Sequence, residues 1–384
     1  MNKKIAITSF ESSGDLHSSL LVKKLKQMDN NIVFLGAGGH SLKSEELEHF
    51  TDTSSWGVIG IWEAVKKVPY LWFKVDKLKK DIVKFKPDLL ILIDSPAINV
   101  RIAEYVKKHN IKMMYYFPPS AWRKENLDKT RRYARFFDYV VPVFEHTKNM
   151  YEKAGKKVYY FGHPIVDAIE DARRDKHSIK KEYRIKEDKV IGLLPGSRAH
   201  EVRLLLGSMI ETSMLIHEKD PETFFMIPAS SPHIEKIIRD YLTRAKTGFP
   251  VRVTRSAYDV MQASDLIITS SGTATLEAAY FLTPMIVLYR LNWFDYTAAK
   301  ILFPYLKHIS LPNIILGKEV VPEFIQKDIS PRRISVLARE LIKESPARRD
   351  MLCDLRRIKE NFESGGVINK VAGLIRDIIN KVEE

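Results

Sequence analysis

Three short stretches of glycine and hydroxyl-bearing residues, each directly after an apolar run, hold the side chains best suited to chemistry. They are Glu11–Asp15, Leu194–Arg198 and Ser270–Glu277. An apolar run followed by a tight turn and a helix start is typical of ligand sites in open α/β sheets, because the turn leaves backbone N–H groups facing the ligand. The pattern predicts a phosphate or ligand site in each half of the chain and two nucleotide-fold halves that face a shared cleft.

The third stretch has the composition of a diphosphate cradle without a lysine. Hydroxyl and N–H groups at a predicted helix start come from Ser271, Gly272, Thr273 and Thr275. Glu277, one turn later, is either an ordinary first-turn acid or a ligand for the paired hydroxyls of a ribose. Arg198 is positioned to meet a phosphate or a base edge. Neither of the first two loops has the glycine spacing of a dinucleotide-binding dehydrogenase or a P-loop NTPase, so both classes are unsupported.

In the first half of the chain the candidate groups are acids and histidines. Asp94 ends the apolar run Leu89–Ile93, so we expect it at the carboxyl end of a central parallel strand. It is either a general base in the cleft or a turn-capping acid before Pro96. Further titratable groups lie in the first loop, namely Glu11, Asp15 and His17, and near the expected domain boundary, namely His163.

Composition excludes several classes of protein. Cys353 is the only cysteine among 384 residues, so no internal disulfide framework is possible and a reducing cytoplasm fits best. No metal-ligand spacing, nucleophile-elbow motif, signal peptide or membrane-spanning segment is found. The net charge of +14 fits a lysine-rich surface, a nucleic-acid partner or an anionic membrane. Aromatic residues flanked by lysines in 66–74, and more weakly in 293–305, have the character of a membrane anchor, although aromatics at such spacing are more often part of a core.

Periodicity predicts two doubly wound α/β domains in tandem. Apolar runs alternate with helical patterns, which indicates parallel sheets covered by helices on both sides. The predicted strands are Lys4–Ser9, Ile32–Leu35, Leu89–Ile93, Met113–Phe117, Tyr139–Val143, Val190–Leu194, Thr223–Ile227, Val251–Thr254, Leu266–Thr269 and Met285–Tyr289. The charged segment 170–189, in which only a short helix is possible, is predicted to be a linker or a domain boundary. A last amphipathic helix is predicted at 367–382, after a Ser-Gly-Gly break.

Taken in order, these motifs resemble the lipid-A-disaccharide synthases, inverting glycosyltransferases of the two-domain GT-B architecture. The motifs that carry the resemblance are Glu11-Ser12-Ser13-Gly14-Asp15, Gly36-Ala37-Gly38-Gly39, Gly57-Val58-Ile59-Gly60 with Glu63, Asp94-Ser95-Pro96 with Asn99, Pro119 with Trp122, Pro142 with Phe144-Glu145, Gly162-His163-Pro164 with Asp167, Leu194-Pro195-Gly196-Ser197-Arg198 with Glu201, Ser271-Gly272-Thr273-Ala274-Thr275-Leu276-Glu277, Leu311-Pro312-Asn313, and Pro322-Glu323 with Gln326. The resemblance implies an acceptor-binding domain over 1–168, joined by helix 367–384, and a donor-binding domain over 189–350.

The resemblance also implies a reaction. A 2,3-diacylglucosamine unit passes from its UDP form to 2,3-diacylglucosamine 1-phosphate, which makes a β-1,6 disaccharide and releases UDP. Catalysis would fall to Asp94, as the base for the acceptor hydroxyl, with Glu11 and Asp15. UDP would be held by Arg198, Ser271, Gly272, Thr273, Thr275, Glu277, Asn313 and Gln326. No metal or cofactor is expected. The acylated substrates imply a peripheral protein on the cytoplasmic face of the inner membrane, docked through 69–74.

Departures from the family pattern fall in the acceptor half. They are Phe10, Ser12, Ser18-Ser19, Ala97 and Lys124. They leave open a GT-B transferase or epimerase that uses another UDP-sugar and a different acceptor. A catalytically silent lipid- or nucleic-acid-binding protein is a second alternative, which the retained Asp94 and donor motifs disfavour.

Overall fold

The computed structural model of the chain describes residues 2–54, 56, 61–119, 127–292, 296, 307–360, 362 and 365–380. Side chains of Ser12 and of residues 61–68 are not part of that description. Unit 1 comprises Met1–Asp167 and Glu363–Glu384, and unit 2 comprises Ala168–Phe362. Among the described helices, none is both long and apolar enough to cross a membrane.

Unit 1 is built on a parallel sheet of six described strands in the order β3-β2-β1-β4-β5-β6. The strands are β1 (Lys4–Thr8), β2 (Val33–Gly38), β3 (His49–Asp52), β4 (Leu89–Ile93), β5 (Met113–Tyr116) and β6 (Tyr139–Val141). The helices are α1 (Ser12–Met28), α2 (His40–Lys43), α3 (Ile61–Phe85), α4 (Pro96–Val106), α5 (Leu127–Ala134) and α6 (Glu145–Lys153), with a 3-10 turn at Lys107–His109. Helix α7 (Ile165–Asp171) begins in unit 1 and ends in unit 2.

Apolar layers cover both faces of this sheet. Ala6, Leu90 and Leu92 point into one layer, which contains the buried side of α3 and α4. Ile5 and Ile7 point into the other layer with α1. Because successive strand residues face opposite sides, covering both sides requires continuous apolar runs rather than alternation. This is why β1 and β4 are readily predicted from the sequence.

The second layer of unit 1 is completed from the far end of the chain. Helix α16 (Val367–Asn380) buries Val371 and Ile375 in the layer that contains Ile5 and Ile7. The Asp167 carboxylate accepts hydrogen bonds from three backbone N–H groups at the start of α16, at 2.5 Å from Gly366, 3.3 Å from Val367 and 2.6 Å from Ile368. Asp167 therefore caps a helix 200 residues away in sequence.

Unit 2 repeats the architecture, with six described parallel strands in the order β12-β11-β10-β7-β8-β9. They are β7 (Lys189–Leu194), β8 (Thr223–Pro228), β9 (Val251–Thr254), β10 (Leu266–Ser270), β11 (Met285–Tyr289) and β12 (Glu323–Ile325). The helices are α8 (Lys176–Glu182), α9 (Ala199–Lys219), α10 (Pro232–Ala245), α11 (Ala257–Ala263), α12 (Ala274–Tyr280), α13 (Leu311–Leu316), α14 (Pro331–Leu341) and α15 (Pro346–Glu360), with a 3-10 turn at Gln326–Asp328. Read from β9 to β12, the strand order of this sheet is the same as that of the unit 1 sheet read from β3 to β6.

The predicted fold class, two doubly wound α/β domains, is confirmed. The two strands without a sequence prediction, β3 and β12, each lie at a sheet edge and are only partly buried. An edge strand needs no continuous apolar run, because less of its surface faces the core. The segment 170–189, predicted to be a linker or domain boundary with a short possible helix, includes α8, whose Ile179 is fully buried. Arg174 pairs there with Asp259 of α11, at 3.1 Å.

Candidate functional site

Each sheet has one point at which the strand order reverses, and the candidate loops lie there. In unit 1 the reversal falls between β1 and β4, which are followed by the Glu11–Asp15 loop and by Asp94. In unit 2 it falls between β7 and β10, which are followed by Pro195–Arg198 and by Ser271. Ligands of open α/β sheets bind outside the carboxyl ends of the strands at such points. The topology thus brings together the residues that the sequence selected in each half.

Gly14 lets the first loop approach Asp94 closely. A Cβ built on Gly14 would lie 3.7 Å from Cβ of Asp94, 3.5 Å from Cβ of Ser9 and 3.3 Å from Cγ2 of Ile93. The last distance is tight for a carbon contact, so a larger residue would push the loop away. Asp94 itself has a left-handed backbone, with φ of +53°. The Ser9 hydroxyl is buried and has no hydrogen-bond partner among the described residues.

The two other predicted acids of unit 1 differ in their surroundings. Asp15 is buried, and its carboxylate accepts hydrogen bonds from the N–H groups of Gly39 at 2.6 Å, Ser41 at 2.8 Å and Leu42 at 3.2 Å. It therefore ties α1 to the first turn of α2. Glu11 occupies the N-cap position of α1 and is exposed. Of the two carboxylates, that of Glu11 is the more accessible to a ligand.

Two buried histidines lie behind the first loop. The ring of His17 stacks on Phe117 with centroids 4.8 Å apart, and its centroid is 5.8 Å from that of His163. Burial lowers the pKa of His17 to about 4 and lowers the pKa of His163 well below its usual value. Nδ1 of His163 accepts a hydrogen bond from the N–H of Ile165, which assigns its proton to Nε2. Both rings are therefore neutral at neutral pH.

The loop after β7 holds Arg198 in place through a glycine and an acid. Gly196 has φ of +112°, and a Cβ on it would lie 2.4 Å from Oε2 of Glu201. No other residue fits this position, because both the backbone angle and the space require glycine. Glu201, in the first turn of α9, approaches Arg198 with a nitrogen to oxygen distance of 3.4 Å. Arg198 is partly exposed and can reach an anionic ligand.

The loop after β10 forms its turn with hydroxyl side chains. Oγ of Ser271 donates to the carbonyl of Ile309 at 2.8 Å, and Oγ1 of Thr275 donates to the carbonyl of Gly272 at 2.7 Å. Thr273 is the N-cap residue of α12. A Cβ built on Gly272 would meet nothing within 4 Å, so the backbone at this glycine faces open space. These hydroxyls shape the turn, and its backbone can approach a ligand.

Glu277 carries an unusual carboxyl group. It accepts a hydrogen bond from the hydroxyl of Tyr258 at 3.0 Å. Burial raises the pKa of Glu277 to about 7, while the Tyr258 hydrogen bond acts in the opposite direction. A carboxyl group that titrates near neutrality is able to accept from a ribose diol once it is ionised. Tyr258 could not be predicted from the sequence, because Glu277, its partner, lies on another helix.

Asn313 holds in place the segment 309–323, whose Ile309 carbonyl accepts the hydrogen bond from Ser271. It is fully buried, and its amide donates to the carbonyl of Val321 at 2.8 Å and to Glu323 at 2.9 Å. Its Oδ1 accepts from the N–H groups of Val320 at 2.7 Å and Val321 at 2.8 Å. Glu323 also accepts from the N–H of Ile309 at 3.1 Å. Asn313 and Glu323 thus fix the carbonyl that receives the Ser271 hydroxyl.

Gln326 differs from Asn313 in having an unused donor. Its backbone is left-handed, with φ of +53°. Its side-chain nitrogen is buried and has no hydrogen-bond partner among the described residues. An amide in this state can donate to a bound ligand. Of the residues in the predicted motifs, 57–60 and Trp122 lie outside the described part of the chain, as does the side chain of Glu63.

Comparison with solved structures agrees with this fold. A putative UDP-N-acetylglucosamine 2-epimerase from Listeria monocytogenes superimposes with a TM-score of 0.63 at 12% identity, covering 100% of this chain and 98% of the other. MurG from Acinetobacter baumannii gives a TM-score of 0.56 at 11% identity, covering 98% and 99%. At such identities the likeness concerns the fold alone.

Comparison of sequences is more specific. The family model for lipid-A-disaccharide synthetase matches residues 5–370. Lipid-A-disaccharide synthase from Geobacter metallireducens is 33% identical, covering 99% of this chain and 98% of the relative. Lipid-A-disaccharide synthase 1 from Legionella pneumophila is 30% identical, covering 94% of each. The chain therefore belongs to the lipid-A-disaccharide synthase family, whose members are hexosyltransferases.

Proposed function

We propose that this chain transfers 2,3-diacylglucosamine from its UDP form to the 6-hydroxyl of 2,3-diacylglucosamine 1-phosphate, with Asp94 as the general base. The Asp94 carboxylate takes the proton of the 6-hydroxyl while that oxygen attacks the anomeric carbon. The bond from this carbon to the diphosphate breaks, UDP leaves, and the new linkage is β-1,6. The observation that carries the assignment is the position of Asp94 at the strand reversal of unit 1, beside Gly14.

The donor diphosphate would bind at the two loops of unit 2. Its negative charge grows as the bond to the sugar breaks, so donors aimed at it lower the barrier. Arg198 supplies a positive charge, and the open backbone at Gly272 and Thr273 supplies N–H groups. The hydroxyls of Ser271 and Thr275 would act mainly by holding the turn, since both already donate to backbone carbonyls. No metal or cofactor has a part in this proposal.

The uridine would be held by the carboxyl and amide groups around α12. Glu277 is proposed to accept from the ribose hydroxyls, which requires its ionised form. The unused amide N–H of Gln326 would donate to the nucleotide. Asn313 would act by positioning, because its amide is fully engaged within the protein. Solved relatives in fold include a UDP-N-acetylglucosamine 2-epimerase from Neisseria meningitidis bound to UDP-N-acetylglucosamine, which supports a nucleotide-sugar site in such a fold.

The remaining acids of unit 1 would serve the acceptor. Glu11 is accessible and is proposed to bind acceptor hydroxyls near Asp94. Asp15 is proposed to contribute indirectly, because three backbone N–H groups already occupy its carboxylate. It would keep the first loop in the position from which Glu11 can act.

The reaction is tested by a direct assay. Purified protein is incubated with UDP-2,3-diacylglucosamine and 2,3-diacylglucosamine 1-phosphate in detergent, and the products are analysed by mass spectrometry. We expect a disaccharide 1-phosphate and one equivalent of UDP. Binding of UDP without any disaccharide would overturn the proposed substrates in favour of another acceptor. Isomerisation of the UDP-sugar would indicate an epimerase instead.

Substrates with acyl chains require contact with a membrane surface, and α3 has a suitable face. Tyr70 and Phe73 are 62% and 70% exposed, among the few large apolar side chains so placed in the described chain. The ammonium group of Lys74 lies 4.6 Å from the Tyr70 ring centroid, and Lys77 and Lys80 are exposed nearby. Aromatic rings with adjacent lysines suit an anionic interface. We therefore propose this face as the contact with the cytoplasmic side of the inner membrane.

Vesicle binding tests the membrane contact. The double variant Tyr70→Ser, Phe73→Ser should sediment at least about fivefold less with phosphatidylglycerol-containing vesicles, because it loses two interfacial side chains. Val336→Ser is the matched control, since Val336 is 66% exposed but lies in unit 2. Equal sedimentation of the double variant and the wild type would contradict the proposed face.

A further inference from the structure

Asp94 and its neighbour share an unusual backbone. Both Asp94 and Ser95 lie in the left-handed region, with φ of +53° and +44°. Two consecutive residues other than glycine in this region are disfavoured, because each side chain crowds its own carbonyl. Such a conformation persists only where surrounding groups enforce it. The strand β4 ends here, and Pro96 begins α4.

Asn99 supplies most of the enforcing contacts. It is fully buried in the first turn of α4. Its side-chain nitrogen donates to the carbonyl of Ile93 at 2.9 Å and to the carbonyl of Asp94 at 2.7 Å. Its own backbone N–H donates to the carbonyl of Ser95 at 3.0 Å. Asn99 therefore contacts three consecutive carbonyl groups across the left-handed turn.

Two further residues hold the amide and the turn. The hydroxyl of Thr8, at the end of β1, donates to Oδ1 of Asn99 at 2.9 Å, which fixes the orientation of the amide. The hydroxyl of Tyr115, on β5, donates to the carbonyl of Asp94 at 3.1 Å. The carbonyl of Asp94 thus receives two side-chain donors from different elements. These bonds lock the peptide plane that follows the proposed base.

An asparagine is the side chain that this arrangement requires. It presents two N–H groups to two carbonyls and one oxygen to a hydroxyl. Aspartate would turn a carboxylate oxygen toward the same carbonyls, and alanine would leave buried acceptors without their donor. Either change removes the contacts that offset the left-handed backbone. Ser95, by contrast, could be glycine at little cost, because glycine adopts this region freely.

We propose that Asn99 is a positioning residue that sets the direction of the Asp94 carboxylate by holding the Asp94–Ser95 backbone in its left-handed conformation. The inference rests on the proposed role of Asp94 as the base. Proton transfer requires the carboxylate to lie within hydrogen-bond reach of the acceptor hydroxyl. A displacement of about 1 Å is enough to cost about 100-fold in rate.

Kinetics with a rescue variant test this role. Asn99→Ala should lower kcat about 100-fold, while KM for both substrates and the Kd for UDP stay within about threefold. Tyr115→Phe removes one of the two side-chain donors to the Asp94 carbonyl and should lower kcat less, by about threefold to tenfold. Ser95→Gly in the Asn99→Ala background should restore kcat at least about tenfold, because glycine at residue 95 adopts the left-handed conformation freely and only the strain at Asp94 remains. Asn110→Ala is the matched control, since Asn110 is exposed and also left-handed.

The outcomes separate this inference from the function it rests on. In these measurements kcat is calculated per UDP-binding site, as counted by titration with UDP. If kcat of Asn99→Ala is within threefold of the wild-type value, the positioning role is wrong and the base assignment is unaffected. If Asn99→Ala lowers the yield of folded protein, and adding Ser95→Gly does not raise kcat per folded site, Asn99 contributes to stability alone. Should Asn99→Ala fail to fold, Tyr115→Phe and the double variant carry the same comparison. Full turnover by Asp94→Asn would refute the proposed base itself, and with it this inference.

Discussion

The carboxyl edges of the two sheets share one strand order but use different chemical groups. In unit 1 the central group is a side chain, Asp94, on a left-handed backbone that buried neighbours hold in place. In unit 2 the loops at the reversal are formed by glycine and hydroxyl residues, and the backbone at Gly272 faces open space. The topology fixes where a ligand can lie, and the residues after each strand determine what can be done to it.

The difference also concerns tolerance to change. The unit 2 loops depend on glycines such as Gly196, whose position admits no Cβ. The unit 1 edge depends on polar side chains of several elements acting together, as Asp15 and Asn99 do. Substitutions in the unit 2 loops should therefore weaken UDP binding, with or without a loss of turnover, whereas substitution of Asp94 in unit 1 should lower turnover and leave UDP binding unchanged. Substitutions of Asp94, Arg198 and Glu277 test this distinction, and a substitution of His17 tests the acid stability of unit 1.

Removal of the proposed base should have the largest effect. Asp94→Asn should lower kcat by about 10²-fold to 10⁴-fold, because general base catalysis contributes that much. The Kd for UDP, measured by calorimetry, should not change. Asp88→Asn is the control, since Asp88 precedes the same strand at its opposite end. Near wild-type turnover of Asp94→Asn would show that another group accepts the proton.

Loss of the proposed phosphate ligand should have the next largest effect. Arg198→Ala should weaken UDP binding about 10-fold to 100-fold, because a charge-assisted hydrogen bond is lost. The control is Arg203→Ala, because Arg203 is exposed on α9, the helix whose N-cap residue is Arg198; this variant should bind UDP as the wild type does. If Arg198→Ala lowers kcat but leaves the Kd for UDP unchanged, the division into a binding edge and a turnover edge is wrong.

Glu277 should make UDP binding depend on pH. With a pKa of about 7 in the free protein, its carboxyl group is mostly protonated at pH 6 and mostly ionised at pH 8. If the ionised form binds the ribose, UDP affinity should rise about tenfold over this range. Glu277→Gln lacks this titrating carboxyl group, so its pH profile shows how far the titration of the UDP phosphates alone changes the affinity. Parallel pH profiles of the wild type and Glu277→Gln would contradict the proposed ribose contact.

The smallest effect at neutral pH is expected for His17. Its folded pKa of about 4 lies below the ordinary value of 6.5, so unfolding takes up a proton between these values. Its stabilising contribution is therefore complete above pH 6.5 and is lost as the pH falls toward 4. By pH 4.5 the loss amounts to about 2 to 3 kcal/mol. His17→Phe should keep the ring stack and reduce the fall in Tm between pH 7 and 4.5. An unchanged acid profile would contradict the assignment.

Of the described strands, the sequence predicts the eight interior ones and the edge strands β6 and β9, and it misses the other two edge strands, β3 and β12. Runs such as Leu89–Ile93 are continuous because both faces are covered, whereas β3 and β12 lie at edges and carry mixed residues. Asp94 was predictable as a candidate because it ends such a run. The contacts between Glu277 and Tyr258, and between Asn313 and Glu323, were not, since they join separate elements. Left-handed backbone at Asp94 and Ser95 has no sequence signal, because neither residue is glycine.

Helix α16 has a consequence for synthesis on the ribosome. One face of the unit 1 sheet, including Ile5 and Ile7, is covered partly by α16, and Asp167 binds the amides that begin this helix. Residues 168–362, which form unit 2, are translated before that cover exists. The half of the protein made first is thus the half that is finished last. Its incomplete apolar face must be shielded during elongation, and nascent chains stalled before α16 should be preferred clients of chaperones.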